Sequence, residues 1–306
     1  MFKTFLWIGM AAFLVACQEP NAMDEDKVID FQGHRGARGL LPENTIPAFQ
    51  KALTFPAIKT LELDLAVSKD SQLVVSHEPW MNSLFCLQPD GSAISEAEEK
   101  ERFAIFQMNY EEVKAFDCGS KGNANFPEQV PMATYKPTLR EMVTTVDEYA
   151  RANQLPLPNY NIEIKSEPSW DSILCPKPQA FSLMVVEEIH ALGIKGRVNV
   201  QSFDMRPLRE VRTLDREIPL ALLVHLPGSV QDYLDELGFT PEIYSPNHRM
   251  VTANVVKEVH DRRMKIIPWT VNTTELMDSL LLMGVDGIIT DYPNRIPPAY
   301  ANKPVQ

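Results

Sequence analysis

Two histidines and a set of carboxylates occur at spacings that could support acid–base and metal chemistry. His34 lies between Gly33 and Arg35, and His77 between Ser76 and Glu78. Glu62 and Asp64 are two apart, as are Glu163 and Lys165. Residues two apart on a β-strand share a face. Two such strands side by side would bring three carboxylates and a lysine together. Carboxylates packed in this way repel one another and are costly to bury, and a divalent cation relieves that cost. Oxygen-only ligation by Glu62, Asp64 and Glu163 suits a hard ion, Ca²⁺ or Mg²⁺. Zinc would require the histidines to join the shell. Such an ion would clamp a phosphoryl oxygen, with Lys165 as a second positive point. His34 and His77 titrate near the working pH and suit paired roles, one as base and one as acid. Either could take either role.

Each residue also has a plainer reading. Glu62 and Asp64 could line a solvated strand face. His34, flanked by Gly33 and Gly36, could be a turn residue. Lys165 and Arg35 could serve only as internal ion-pair partners of the carboxylates. Trp269, at a strand end, could be core. The coincidence of all these residues at comparable positions favours the chemical reading. The four other histidines, His190, His225, His248 and His260, read as structural or surface residues. Asn44 could cap the helix that follows it, a role compatible with contact to the site, and the acidic run 96–101 reads as a solvated helix face.

The elements needed to position these groups are β-rich runs alternating with helical ones. Strands are expected at 28–33, 60–67, 159–165, 197–201, 219–224, 242–245, 265–271 and 286–290. A further extended run covers 72–75. Helices are expected near 44–53, 138–153, 179–192, 204–214, 230–237, 253–263 and 273–283. Eight strands interleaved with helices over this length fit a (β/α)₈ TIM barrel, with an insertion after the second strand at 79–136. Apolar runs such as Ala221-Leu222-Leu223-Val224 fit a parallel sheet buried on both faces. The competing doubly wound sheet lacks a glycine-rich turn after its first strand. In a barrel, functional residues belong at the carboxyl ends of strands.

The net charge of −12 argues against nucleic acid or an anionic membrane as a partner held by a basic patch. It does not exclude an anionic substrate, because a local cation can dominate the field in a pocket. Residues 1–17 read as a lipoprotein signal peptide: Lys3, an apolar run from Phe5 to Val15, then Leu14-Val15-Ala16-Cys17 as a lipobox, with Cys17 the lipid-attachment site. The run is too short to span a bilayer, so membrane attachment is expected only through the lipid on Cys17. Residues 18–27 form a tether and 28–300 the barrel domain. The address is then the cell envelope, where disulfides persist. Cys86 and Cys118 flank one inserted segment and are the favoured pair, leaving Cys175.

Taken in order, the residues carry a resemblance. His34-Arg35-Gly36, Pro42-Glu43-Asn44-Thr45, Glu62-x-Asp64 and Val75-Ser76-His77-Glu78 resemble the glycerophosphodiester phosphodiesterase family. So do Asn161-x-Glu163-x-Lys165, Gln201-Ser202-Phe203-Asp204, Pro268-Trp269-Thr270-Val271-Asn272 and the run 284–293. The resemblance covers nearly the whole mature chain. It implies a barrel fold and metal-dependent hydrolysis of glycerophosphodiesters to glycerol 3-phosphate and an alcohol. It implies ligation by Glu62, Asp64 and Glu163, acid–base roles for His34 and His77, phosphate contact by Arg35 and Lys165, and a pocket lined by Trp269. The alternatives are lysophospholipids or other envelope phosphodiesters as substrate, or a non-catalytic envelope binding barrel. One departure stands out: the family usually has Asp after the second histidine, where this chain has Glu78. The nucleophile is either water or a neighbouring substrate hydroxyl.

Overall fold

The computed structural model describes residues 28–301; the signal segment with its lipobox and the tether lie outside the described residues. The strands are β1 (Asp30–Gly33), β2 (Ile58–Val67), β3 (Leu73–Val75), β4 (Asn159–Ile164), β5 (Val198–Ser202), β6 (Leu220–Val224), β7 (Ile243–Pro246), β8 (Lys265–Ile266) and β9 (Gly287–Thr290). The helices are α1 (Ile46–Leu53), α2 (Glu99–Arg102), α3 (Tyr110–Lys114), α4 (Leu139–Ala152), α5 (Pro178–Leu192), α6 (Met205–Leu214), α7 (Val230–Leu237), α8 (Ala253–Asp261), α9 (Thr274–Leu282) and α10 (Pro298–Ala301).

The strands run in the order β8-β7-β6-β5-β4-β2-β1-β9, all parallel. Three backbone hydrogen bonds cross the remaining seam: Asp286 N–H to Ile266 O, Ile289 N–H to Pro268 O and Val271 N–H to Ile289 O. The result is a nearly closed eight-stranded parallel barrel with helices outside, as the alternation of runs predicts. β3 is the exception. It folds back antiparallel on β2, with Leu65 opposite Val75. The paired part of the seventh expected strand shrinks to Lys265–Ile266.

Side-chain alternation explains why the sheet closes. On β2, Leu61, Leu63 and Leu65 are fully buried and join the main core between strands and helices, with Phe49, Val143 and Val146. Thr60, Glu62 and Asp64 point the other way, into the barrel. On β4, Tyr160, Ile162 and Ile164 face the helices, while Asn161 and Glu163 face inward. The interior is divided. One half is polar, from β1, β2, β4 and β5. The other is a small apolar cluster of Ala221, Ile243, Ile267 and Ile289 from the remaining strands and the seam, packed against Trp269.

Short polar caps start the helices where the strands deliver them. Thr138, Ser229, Thr252 and Thr273 each accept a backbone N–H of the first turn. The segment 79–136 carries its own apolar cluster, including Met81, Phe85, Ile105, Val113 and Phe116. A Cys86–Cys118 disulfide closes it. Chain-entropy arguments give such a 32-residue separation about 3–4 kcal/mol of stabilisation. Cys175 is free and buried. The acidic run is not fully solvated: Glu99 is buried and its carboxylate accepts the Ser83 N–H.

Candidate active site

The turn after β1 sets the first catalytic candidate. Gly36 N–H bonds Gly33 O at 3.1 Å, and Arg35 and Gly36 take φ of 50° and 85°. A Cβ on Gly36 would stand 2.6 Å from the Ala48 carbonyl carbon, so only glycine fits. This tight turn aims His34 across the barrel mouth and turns the Arg35 N–H onto Glu62 Oε2 at 2.9 Å. His34 Nδ1 lies 2.6 Å from Asp291 Oδ1, just past β9, and His34 Nε2 lies 3.9 Å from Glu62. Burial, with Arg38 nearby, depresses the imidazole pKa to about 4 despite the Asp291 partner.

The second histidine is carried by the β2–β3 hairpin. Ser76 N–H bonds Asp64 O at 2.9 Å, which folds His77 back over the strand end. His77 Nδ1 is 2.7 Å from Glu78 Oε1, and its Nε2 is 3.3 Å from Lys165 Nζ. Burial and the cation Arg35 lower its pKa, while Asp64 and Glu78 oppose them. Both histidines therefore have Nδ1 held by a carboxylate. Both carboxylates accept, so each ring is set to carry its hydrogen on Nδ1 and a lone pair on Nε2.

Between the histidines lie the carboxylates. Register places Asp64 beside Glu163 across the β2–β4 pair. One oxygen each from Glu62, Asp64 and Glu163 lies within 4.8 Å of the others, and all three residues are buried. Glu62 accepts from Gln201 Nε2 at 2.8 Å, and Glu163 from Lys165 Nζ at 2.8 Å. Asp64 Oδ2 accepts from Asn44 Nδ2 at 2.8 Å, but its Oδ1 is buried without a partner. Burial and the neighbouring carboxylates push Glu62 well up, and burial pushes Glu163 up to about 7. Burial alone would raise Asp64 too, but Arg35 holds it well below the usual carboxylate range. Raised carboxylates beside an orphaned oxygen mark a deficit of positive charge. The donor set fits a hard divalent cation.

Arg35 and Lys165 are partly committed to the protein. Arg35 Nη1 bonds Glu43 at 2.7 Å, and its Nε is buried without a hydrogen-bond partner, 3.3 Å from Asp64. Both the ion-pair reading and a place at the site hold for Arg35, which lines the cavity. That cavity, about 160 Å³, is lined by His34, Arg35, Glu62, His77, Glu163 and Trp269, among others. Trp269 packs edge-on to Phe203 with centroids 5.3 Å apart and donates its Nε1–H to Ser245 O at 2.9 Å. The bond from Trp269 to Thr270 is cis. Of the four histidines set aside, His225 packs edge-on to Phe203, His248 lies beside Trp269 O, and His190 and His260 pair with Asp215 and Asp286.

Several residues acquire parts that sequence reasoning did not assign. Asp291 orients His34 and is itself gripped by Arg38 Nε at 2.8 Å and Asn272 Nδ2 at 2.7 Å. Its place just after the last strand was the available signal. Asn44 does not cap α1. Thr45 takes that position, accepting Ala48 N–H, and Asn44 bonds Asp64 instead. Lys136 is buried and donates to Ser76 Oγ at 2.9 Å. Nothing in its sequence context signals this.

Comparison with known proteins identifies the family and the fold. The profile of the glycerophosphoryl diester phosphodiesterase family matches residues 34–295. A glycerophosphodiester phosphodiesterase of Bacillus altitudinis is 30% identical over 266 residues, covering 86% of this chain and 94% of the relative. Among solved structures, a provisionally assigned glycerophosphoryl diester phosphodiesterase from Silicibacter pomeroyi DSS-3 superposes with a TM-score of 0.79 at 27% identity, covering 90% of this chain and 94% of that one. A phosphodiesterase of Oleispira antarctica, solved with its product sn-glycerol-3-phosphate, shares the fold with a TM-score of 0.69 at 21% identity, covering 89% and 96%. The chain belongs to the glycerophosphoryl diester phosphodiesterase family and is a phosphoric diester hydrolase.

Proposed function

We propose that the protein hydrolyses small glycerophosphodiesters to glycerol 3-phosphate and an alcohol. One observation carries the reading. Two histidines, each with Nδ1 held by a carboxylate, line one cavity with Glu62 and Glu163, which form a buried carboxylate trio with Asp64. The product named for the Oleispira antarctica phosphodiesterase supports the same chemistry.

In this reading Glu62, Asp64 and Glu163 hold one divalent cation, Ca²⁺ or Mg²⁺. When bound, it supplies a positive charge against a phosphoryl oxygen. Lys165 and Arg35 orient the phosphate from the protein side, and Trp269 with Phe203 walls the organic part of the substrate. One histidine, neutral with its lone pair on Nε2, accepts the proton of the attacking hydroxyl, while the other enters as the imidazolium, protonated on both nitrogens, and donates its Nε2 proton to the leaving alkoxide. Asp291 and Glu78 hold the two rings through Nδ1–H, an orientation that serves the neutral base and the protonated acid alike. Lys165 Nζ stands 3.3 Å from His77 Nε2.

The test is a glycerophosphocholine assay before and after chelation. Activity lost with chelator and restored by Ca²⁺ or Mg²⁺ supports the reading. Turnover that survives full chelation overturns it. We further propose that the enzyme is lipid-anchored through Cys17 at the cell envelope. Palmitate labelling that disappears in Cys17→Ala supports this, and undiminished labelling overturns it.

A further inference from the structure

The polar half of the barrel holds a continuous line of side-chain hydrogen bonds that begins far from the chemistry. It starts at Asp30, at the amino end of β1. Thr60 Oγ1 donates to Asp30 Oδ1 and Gln32 Nε2 to Asp30 Oδ2, each at 2.7 Å. Asn161 Nδ2 then donates to Gln32 Oε1 at 2.8 Å and to Gln201 Oε1 at 3.0 Å. Gln201 Nε2 donates to Glu62 Oε1 at 2.8 Å. Asn199 Nδ2 fixes the orientation of Asn161 by donating to its Oδ1 at 2.6 Å. Gln32, Asn161 and Gln201 are all at most 2% exposed.

The direction of this line is dictated by its ends. An amide can face either way in isolation. Asp30, as a carboxylate, accepts only, so Gln32 must turn its NH₂ toward it and its oxygen toward Asn161. Asn161 uses both amide hydrogens, one on Gln32 and one on Gln201. Gln201 is left with its NH₂ facing Glu62. Were Gln201 reversed, its oxygen would meet the Glu62 carboxylate and its NH₂ would meet the Asn161 NH₂. Buried polar groups pay heavily for such clashes.

We propose that the Gln32–Asn161–Gln201 amide relay, polarised from Asp30, is the positioning device for Glu62 as a cation ligand. It rests on the metal reading above. Partners that orient a ligand from behind typically contribute 10–100-fold in metal affinity. Gln201 acts on Glu62 directly, whereas Asn161 acts only through Gln201.

The test is isothermal titration calorimetry of the full chain with Ca²⁺ or Mg²⁺ alone, with circular dichroism to check the fold. Gln201→Leu and Asn161→Leu should each weaken binding about 10–100-fold. The double variant should bind no more weakly than Gln201→Leu, because the second change removes a group whose effect is already lost. Gln32→Met, one step further from the cation and similar in volume, should weaken binding by a smaller factor. It keeps the test alive if Asn161→Leu does not fold. Unchanged binding in Asn161→Leu or, should that variant not fold, in Gln32→Met overturns the relay alone, as do losses that multiply in the double variant. An unmodified protein that binds neither cation overturns the metal reading, and the relay with it.

Discussion

His34 Nδ1 and Asp291 Oδ1, 257 residues apart in sequence, meet at 2.6 Å and tie the first strand of the barrel to the last. The carboxylate has no freedom to turn away. Arg38 takes both of its oxygens, at 2.8 and 3.1 Å, and Asn272 takes one of them. Closing the barrel is therefore the act that orients the histidine.

The first prediction follows from that bond. Asp291→Asn keeps the shape but can present NH₂ to Nδ1, which favours the wrong tautomer. Loss of a comparable orienting carboxylate in a serine protease costs about 10⁴-fold in kcat. Asp291→Asn should lower kcat at least about 10²-fold, with KM little changed and the circular dichroism spectrum intact. Steady-state kinetics checks it, and a near-normal kcat would remove Asp291 from the mechanism.

A second prediction concerns pH and stability. The folded pKa of His34 is about 4, below the ordinary value of 6.5. In the window between those values the unfolded chain binds a proton that the folded chain refuses. The stability this group contributes is present above 6.5 and lost as pH falls toward 4. His34→Gln should therefore lose less stability than the unmodified protein between pH 7 and pH 5, by about 2 kcal/mol. Urea unfolding at the two pH values measures the difference; equal losses would show that His34 is not held neutral by burial.

Much of the frame is visible in the sequence because the strands alternate with a period of two. Leu61, Leu63 and Leu65 interleave with Thr60, Glu62 and Asp64, so one reading yields both the core face and the carboxylate face. What is hidden depends on distance and on ambiguous chemistry. Asp291 stands in a recognisable run, but nothing local reveals a partner at His34. Asn44 and Thr45 are both good caps, and only the fold shows that Asn44 turns to Asp64 instead. Lys136 precedes a proline in an irregular segment, where a lysine reads as solvated. Its burial depends on how the segment 79–136 packs, and that packing has no periodicity to read.

Lys136 yields the third prediction. Its ammonium donates to Ser76 Oγ, which donates in turn to Glu78 O at 2.6 Å. The pair pins the turn that carries His77. Burial pulls the Lys136 pKa down, and Glu78 and Glu43 pull it back. A buried charge with so few partners contributes little to stability. Lys136→Met should lower kcat about 10-fold, in line with losses of other orienting groups, while the thermal midpoint stays or rises. A fall in midpoint with kcat unchanged would assign Lys136 a purely structural part.

The last prediction concerns Glu78, where the chain departs from the usual Asp of its family. Its Oε1 reaches His77 Nδ1 at 2.7 Å from the very next residue, and its Oε2 is buried without a partner. Glu78 and His77 depress and raise each other's pKa in the senses expected of an ion pair: the glutamate lies well below the carboxylate range, and its hydrogen bond raises the histidine. Removing the charge but not the shape should therefore push His77 further down. In Glu78→Gln the imidazole should titrate at lower pH by NMR, and kcat should fall while KM holds. Glu78→Asp tests geometry instead. The side chain is one methylene shorter, so the 2.7 Å contact should lengthen and kcat should fall unless the turn moves to follow it. A Glu78→Asp enzyme at full activity would mean that the Ser76–Glu78 turn adapts to side-chain length, and that the charge alone, not its reach, is what His77 requires.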